Sequence, residues 1–175
     1  PAELGVLNLS GSGTLGGTNV VTVTNVVWTR GTMSGLGTTV VPPGGSLLIN
    51  VASGYSALLS QRVLHNAGSG VWTNLGIIYG QYGAVVTNSG SWEVRSDAVM
   101  NFYGNGAPAS FYNDGLFSKT GGNGVTAFSQ TAFHNRGTVR VERGTLSFLS
   151  SQYEQTDGST MLNGGNLSSS PNTIR

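Results

Sequence analysis

"FHNRGTVRVERGTLSF", residues 133–148, places an apolar residue two positions before an Asn, a Gly two positions after it, and then an alternating run. The same skeleton stands upstream in "FYNDGLFSKTGG" (111–122), "VTNSGSWEVRSD" (86–97) and "LHNAGSGVWTN" (64–74). The four Asn are Asn66, Asn88, Asn113 and Asn135, spaced 22, 25 and 22 residues apart, and each is followed at +2 by Gly68, Gly90, Gly115 or Gly137. A degenerate copy has Thr156 at the Asn position and keeps Gly158. Two looser copies are Pro43 with Gly45 and Thr29 with Gly31. Position −2 is apolar in Leu64, Val86, Phe111 and Phe133. Position +4 reads Leu47, Gly70, Trp92, Phe117 and Val139, and position +6 reads Ile49, Trp72, Val94, Lys119 and Val141. Apolar residues at +4 and +6 have the period of two that belongs to a strand. A second strand follows in "AVMNFYG", "VTAFSQ" and "TLSFLSS".

A unit of 21–25 residues built from short strands cannot bury its own apolar face, whereas stacking such units buries a continuous core. The repeat therefore predicts an all-β chain: one domain over 1–175, a parallel β-solenoid (β-helix) of about seven turns with little or no helix. Propeller blades need about 40–45 residues each; a β-sandwich is the alternative. In a solenoid the +2 glycines are expected to supply a backbone angle that other residues adopt at a cost, at the corner between two faces. The Asn amides, which both donate and accept, are expected to bond along the axis as a ladder. The competing expectation is four separate Asn-x-Gly turns with their side chains in water.

Composition points the same way. Only 9% of residues are charged and Gly is 28 of 175, against about 25% and 7% in an average domain. Ser, Thr, Asn and Val supply much of the remainder, a mixture suited to short strands and tight turns. A disordered Gly/Ser linker is the alternative, but 38% of the residues are apolar and they recur at regular positions. The net charge is +1 and no basic run exists, which argues against a nucleic-acid partner. No apolar stretch approaches the ~18 residues of a membrane-spanning helix. With no Cys there are no disulfides or thiolate metal sites, and no cofactor is expected.

"VLNLSGSGTLGGTNVVTVTNVVWTRGTMSGLGTTVVPPGGSLLI" (6–49) resembles the strand-and-glycine segments of large bacterial cell-surface proteins, as do "FYNDGLFSKTGGNGVTAF" (111–128) and "YEQTDGSTMLNGGNLS" (153–168). These are autotransporter-like and adhesin-like β-solenoid repeats. The resemblance implies an extracellular, cell-surface location and a structural or adhesive role. It carries over no catalytic residue.

Chemistry-bearing residues can be weighed on this frame. His65 and His134 each precede an anchor Asn and fall in one column three turns apart, about 14 Å at one strand spacing per turn, too far to share a metal ion. They are expected to be solvated corner residues. The carboxylates are Glu3, Glu93, Asp97, Asp114, Glu142, Glu154 and Asp157. A glycosidase needs two within about 5–10 Å across a cleft, and only Asp97 with Arg95 is compact enough to suggest itself besides the +1 column. In that column Asp114, Arg136 and Asp157 are expected to form a surface acid–base–acid ladder that aids register. Trp72 and Trp92 read as core. Trp28, Tyr79 and Tyr82 are undetermined, and Tyr103 and Tyr112 fall on or near corners; a glycan-binding strip is the alternative these rings offer. No Thr column recurs as an ice-binding face would require, and "TGGNGV" (120–125) is a single fragment of the calcium-binding repeat without its Asp.

A parallel stack leaves an open sheet edge at each end. Neither "PAELGVLNLSGSG" nor "LSSSPNTIR" reads as a cap. The strands bearing Leu4, Val6, Leu7 and Leu9 and those bearing Met161, Leu162 and Leu167 are therefore expected to pair with something. That partner is another copy, head to tail, or neighbouring repeats of a longer chain. The functional expectation is a surface filament or stalk segment without catalytic residues. The alternatives are a glycan-binding adhesin module and a polysaccharide-active enzyme.

Overall fold

In the computed structural model the described residues are 2–170. They form eight turns of parallel strands without helix. The first turn is β1 (Ala2–Leu9) and β2 (Thr14–Leu15), the second β3 (Val20–Trp28) and β4 (Gly31–Ser34). Turn three is β5 (Thr38–Val41), β6 (Ser46–Asn50) and β7 (Ser56–Ser60). Turn four is β8 (Val63–Asn66), β9 (Ser69–Thr73) and β10 (Ile77–Gln81). Turn five is β11 (Val85–Asn88), β12 (Ser91–Val94) and β13 (Val99–Phe102). Turn six is β14 (Ser110–Asn113), β15 (Leu116–Lys119) and β16 (Val125–Ser129). Turn seven is β17 (Ala132–Asn135), β18 (Thr138–Val141) and β19 (Thr145–Leu149). Turn eight is β20 (Tyr153–Gln155), β21 (Ser159–Leu162) and β22 (Asn166–Ser170). At one strand spacing per turn the stack is about 34 Å long.

Strands stack into three faces: β5-β8-β11-β14-β17-β20, β6-β9-β12-β15-β18-β21, and β2-β4-β7-β10-β13-β16-β19-β22. In the first two turns the first and second faces are one. The stretch "VVTVTNVVW" alternates without Gly or Pro, so β3 runs through the corner, pairing with β5 from Val20 to Thr22 and with β6 from Asn25 to Trp28. β1 pairs along it from Ala2 to Leu9.

Alternate residues of every face point inward. The first face sends in Leu64, Val86, Phe111, Phe133 and Tyr153, and the second sends in one column of Trp28, Ile49, Trp72 and Val94. All are buried. The core changes character along the axis. Turns two to five are filled by aliphatics and three Trp, and turns six to eight by aromatic rings in continuous contact. Phe111 and Phe133 stack with centroids 5.0 Å apart and nearly parallel planes, and Phe128 and Phe148 stack at 5.8 Å. Such pairs add about 0.5–1.5 kcal/mol each beyond area burial. Gly70, between Leu47 and Trp92 in one inward column, leaves room for the Trp92 ring, which would lie 3.4 Å from an added Cβ.

Three anchors of the loose copies shift. Val41, not Pro43, stands opposite Asn66, because the "PPGG" loop adds two residues before the faces realign at Ser46 and Ser69. Gln155, not Thr156, stands opposite Asn135, because the following corner is one residue longer. Thr29 and Gly31 are no anchor pair: Gly31 opens β4 on the third face, opposite Ala57.

Candidate functional site

The four anchor Asn end their first-face strands with wholly buried side chains. Each amide donates to the oxygen of the next. Nδ2 of Asn66 lies 2.8 Å from Oδ1 of Asn88, as do Asn88 from Asn113 and Asn113 from Asn135. Asn135 continues to Oε1 of Gln155 at 3.3 Å. Each Nδ2 also meets a main-chain oxygen of the following turn in the case of Asn66 (Ser91), Asn88 (Leu116) and Asn113 (Thr138). At the other end Val41 fills the column, and Oδ1 of Asn66 is buried without a donor.

The glycines serve a purpose other than the one expected. Gly68, Gly90, Gly115 and Gly137 do not have positive φ; among the five, only Gly158 does, at 72°. What requires glycine is close approach of successive turns. A Cβ on Gly90, Gly115 or Gly137 would lie 2.1 Å from the carbonyl oxygen of the glycine one turn earlier. A left-handed non-glycine residue recurs at the corner after the third face, where Gln61, Tyr82, Gln130 and Ser150 each follow the strand of their turn with φ between 48° and 63°.

The surface ion column has two members, not three. Arg136 grips Asp114 with two bonds, Nε to Oδ1 at 2.7 Å and Nη2 to Oδ2 at 3.0 Å. The longer eighth corner turns Asp157 away, and its Oδ1 accepts the main-chain N–H of Gly158 at 2.7 Å. His65 and His134 are in the first-face strands, not at corners, in a column running His65, Thr87, Tyr112, His134, Glu154. His65 Nδ1 is 2.6 Å from Thr87 Oγ1. The His134 ring stacks on Tyr112 with centroids 4.6 Å apart, and its Nδ1 lies 3.0 Å from Glu154. Arg95 pairs with Glu93 at 2.6 Å rather than with Asp97. Together with the Thr120 hydroxyl, that guanidinium holds the Glu93 carboxyl below its usual range. Glu142 lies 3.9 Å from Arg140.

Two buried cations escaped the reading of the sequence. Lys119 sits between Val94 and Val141 in an apolar inward column with no exposed surface. Its Nζ, with three N–H donors, has Ser96 O, Asp97 Oδ1, Gly121 O and Thr126 Oγ1 all within 3.1 Å. Its position at +6 was visible; the acceptors were not, because they come from the loop before β13, the corner after β15 and the third face. Arg62 is equally buried. It is satisfied without a carboxylate, by Thr39 Oγ1 and the main-chain oxygens of Gly17, Asn19, Ser34 and Thr38, and burial lowers its pKa. It ties turns one, two and three to turn four.

Of the terminal apolar residues, Leu4, Leu7 and Leu9 occupy inward columns beneath Val23, Val26 and Trp28. Leu162 and Leu167 continue the columns of Val141 and Leu146. Leu4 and Leu162 are nonetheless 39% and 53% exposed, because among the described residues no further turn covers them. Val6 and Met161 belong to outer rows instead, opposite Asn25 and Arg140.

Of the tyrosines left open by the sequence, Tyr79 and Tyr103 line the third face, while Tyr82 stands at the corner after it and Tyr112 in first-face strand β14. A groove of about 330 Å³ crosses it, lined by Ser12, Arg30, Thr32, Ser56, Tyr79 and Tyr103 among others. A recess of about 220 Å³ adjoins it, walled by Tyr55 and Leu75 and sharing Ser56 and Tyr79. Tyr79 and Tyr103 meet edge to face at 5.0 Å, and the Arg30 guanidinium lies 4.5 Å over the Tyr55 ring.

Among the described residues no three His, Asp or Glu side chains converge as metal ligands, and no helix is long and apolar enough to cross a membrane. No family model, curated protein or solved structure matches this chain.

Proposed function

We propose that the chain is a structural element of an extracellular surface filament or stalk that lengthens by end-to-end stacking of β-solenoid turns. The observation that carries this reading is the constancy of register. Each three-strand turn presents to the next the same parallel main-chain pattern and the same inward columns. β20, β21 and β22 therefore offer a following turn what β17, β18 and β19 offered them. A turn seated there would form a row of main-chain hydrogen bonds, each worth about 1 kcal/mol net. It would also cover the inward apolar side chains Leu162 and Leu167, at about 25 cal/mol per Å² of apolar area. The same holds in reverse at Leu4 and Leu7. Sparse charge and abundant Ser, Thr and Asn suit a surface that stays hydrated over a long rod, and the sequence resemblance to bacterial surface repeats supports an extracellular setting.

Electron microscopy and light scattering of the purified chain over a range of concentrations test this. Rods that lengthen with concentration in steps of about 38 Å, eight strand spacings per added copy, and that Leu162→Lys shortens, are the expected result. A chain that stays monomeric at high concentration overturns self-stacking.

A further inference from the structure

The third-face groove runs from Ser12 in the first turn to Tyr103 in the fifth, about 19 Å along the axis at one strand spacing per turn. It is long and open, the shape of a track for a chain and not a socket for a small molecule. Exposed rings clustered with Leu58 and Leu75 among small polar residues mark a ligand surface, and Tyr55 and Tyr103 are each at least half exposed. The edge-to-face contact fixes the angle between Tyr79 and Tyr103, so two amphipathic platforms are offered with little ordering left to do. Ser12, Thr32 and Ser56 line the same groove and supply hydroxyls beside them.

Arg30 is the only charged residue of the lining. Its stacking on Tyr55 occupies the face of the guanidinium and leaves the in-plane N–H edges free. Among the described residues its side chain has no ion-pair partner and makes no hydrogen bond. Those edges match a carboxylate in bidentate geometry. An acidic peptide would satisfy the cation but has no use for the ring platforms. A neutral glycan would use the rings and leave the cation unpaired.

We infer that this groove binds an acidic polysaccharide, a chain of sugar rings carrying carboxylates, laid along the solenoid axis with a sugar face on Tyr79 and a carboxylate on Arg30. The inference rests on the third face alone and not on end-to-end stacking. The test is titration of the chain with short oligogalacturonates, followed by calorimetry and by chemical shifts of the Tyr ring protons. The controls are the same oligosaccharides with their carboxylates reduced to alcohols, and an oligoglutamate peptide of similar charge. Expected are saturable binding of the oligogalacturonate, binding at least about tenfold weaker for the reduced sugar, a loss of at least about tenfold in Arg30→Gln with Arg30→Lys intermediate, and loss of binding in Tyr79→Ala with retention in Tyr79→Phe. Circular dichroism of each surface variant verifies that the fold is intact. No saturable binding to the wild-type chain, equal binding of the reduced sugar, or equal binding of oligoglutamate would each overturn the proposal.

Discussion

At Asn88 two ladder bonds meet, one accepted from Asn66 and one donated to Asn113. Asn88→Ala removes both and leaves the Asn113 oxygen buried and unpaired, an expected loss of about 3 kcal/mol. Asn66→Ala removes one ladder bond, against two in Asn88→Ala, and strands the Asn88 oxygen, but it also eliminates the oxygen that is already unpaired, so a smaller loss of about 1–2 kcal/mol is expected. Urea denaturation of the two variants measures the difference; equal losses would show that the unpaired oxygen carries no penalty. Gly115→Ala, with its Cβ 2.1 Å from the Gly90 carbonyl oxygen, forces two turns apart, whereas Gly54→Ala meets no atom within 4 Å and suffers only its φ of 80°. The expected loss is several kcal/mol for the first and about 1 kcal/mol for the second. Glu93 supplies a pH-dependent contribution. Its carboxyl pKa is lowered in the folded chain, so the stabilisation is present above the unfolded carboxylate pKa and is lost as pH falls through the lower folded value. Because the pair is largely exposed, Glu93→Gln is expected to cost under about 1 kcal/mol at neutral pH, and the difference from wild type should vanish in acid. The anchors were legible because Asn and Gly recur at fixed spacing. The left-handed corner was not, because Gln61, Tyr82, Gln130 and Ser150 share no residue type that announces it.

Among the elements, β15 departs furthest from its pattern. Its inward positions hold Phe117 and Lys119 where β12 holds Trp92 and Val94 and β18 holds Val139 and Val141. Lys119 is accommodated because its ammonium has four acceptors within 3.1 Å. Lys119→Met is apolar and of similar length, but it leaves Asp97 Oδ1 and the Gly121 carbonyl without their donor, Asp97 Oδ2 keeping the Gly124 N–H. An expected loss of about 3 kcal/mol follows, while Asp97→Asn, at a partly exposed site, should cost less. A neutral Lys119→Met in thermal or urea unfolding would mean that the network is balanced by desolvation. The sequence marked Lys119 as inward by its +6 position, yet neither it nor Arg62 could be read as anchored, because their acceptors are mainly main-chain oxygens, which no residue type records. The alternating run of β3 was legible as a strand, but its passage through a corner was not, since the absence of Gly and Pro over "VVTVTNVVW" looks the same in a straight strand.

As a whole the molecule is a stack in which each turn contacts its neighbours, so stability is a sum of turns and their interfaces. Opening should therefore start at the ends and cost most in the middle. Native-state hydrogen exchange is expected to show greatest protection from β8 to β17, where the Asn ladder and most of the aromatic core lie, and least in β1 and β22. Uniform protection would mean that the stack opens as one unit.

The Asn ladder has a direction as well as a strength. From Asn66 to Asn135 each carboxamide donates toward the later turn, and from Asn88 to Gln155 each accepts from the earlier one. Their moments add along the axis and reinforce one another in the low-dielectric interior. The rod is thus electrically polar within, with bare oxygen at Asn66 and aligned N–H bonds leading toward Gln155. Two rods joined head to tail would add these vectors, and two joined tail to tail would oppose them.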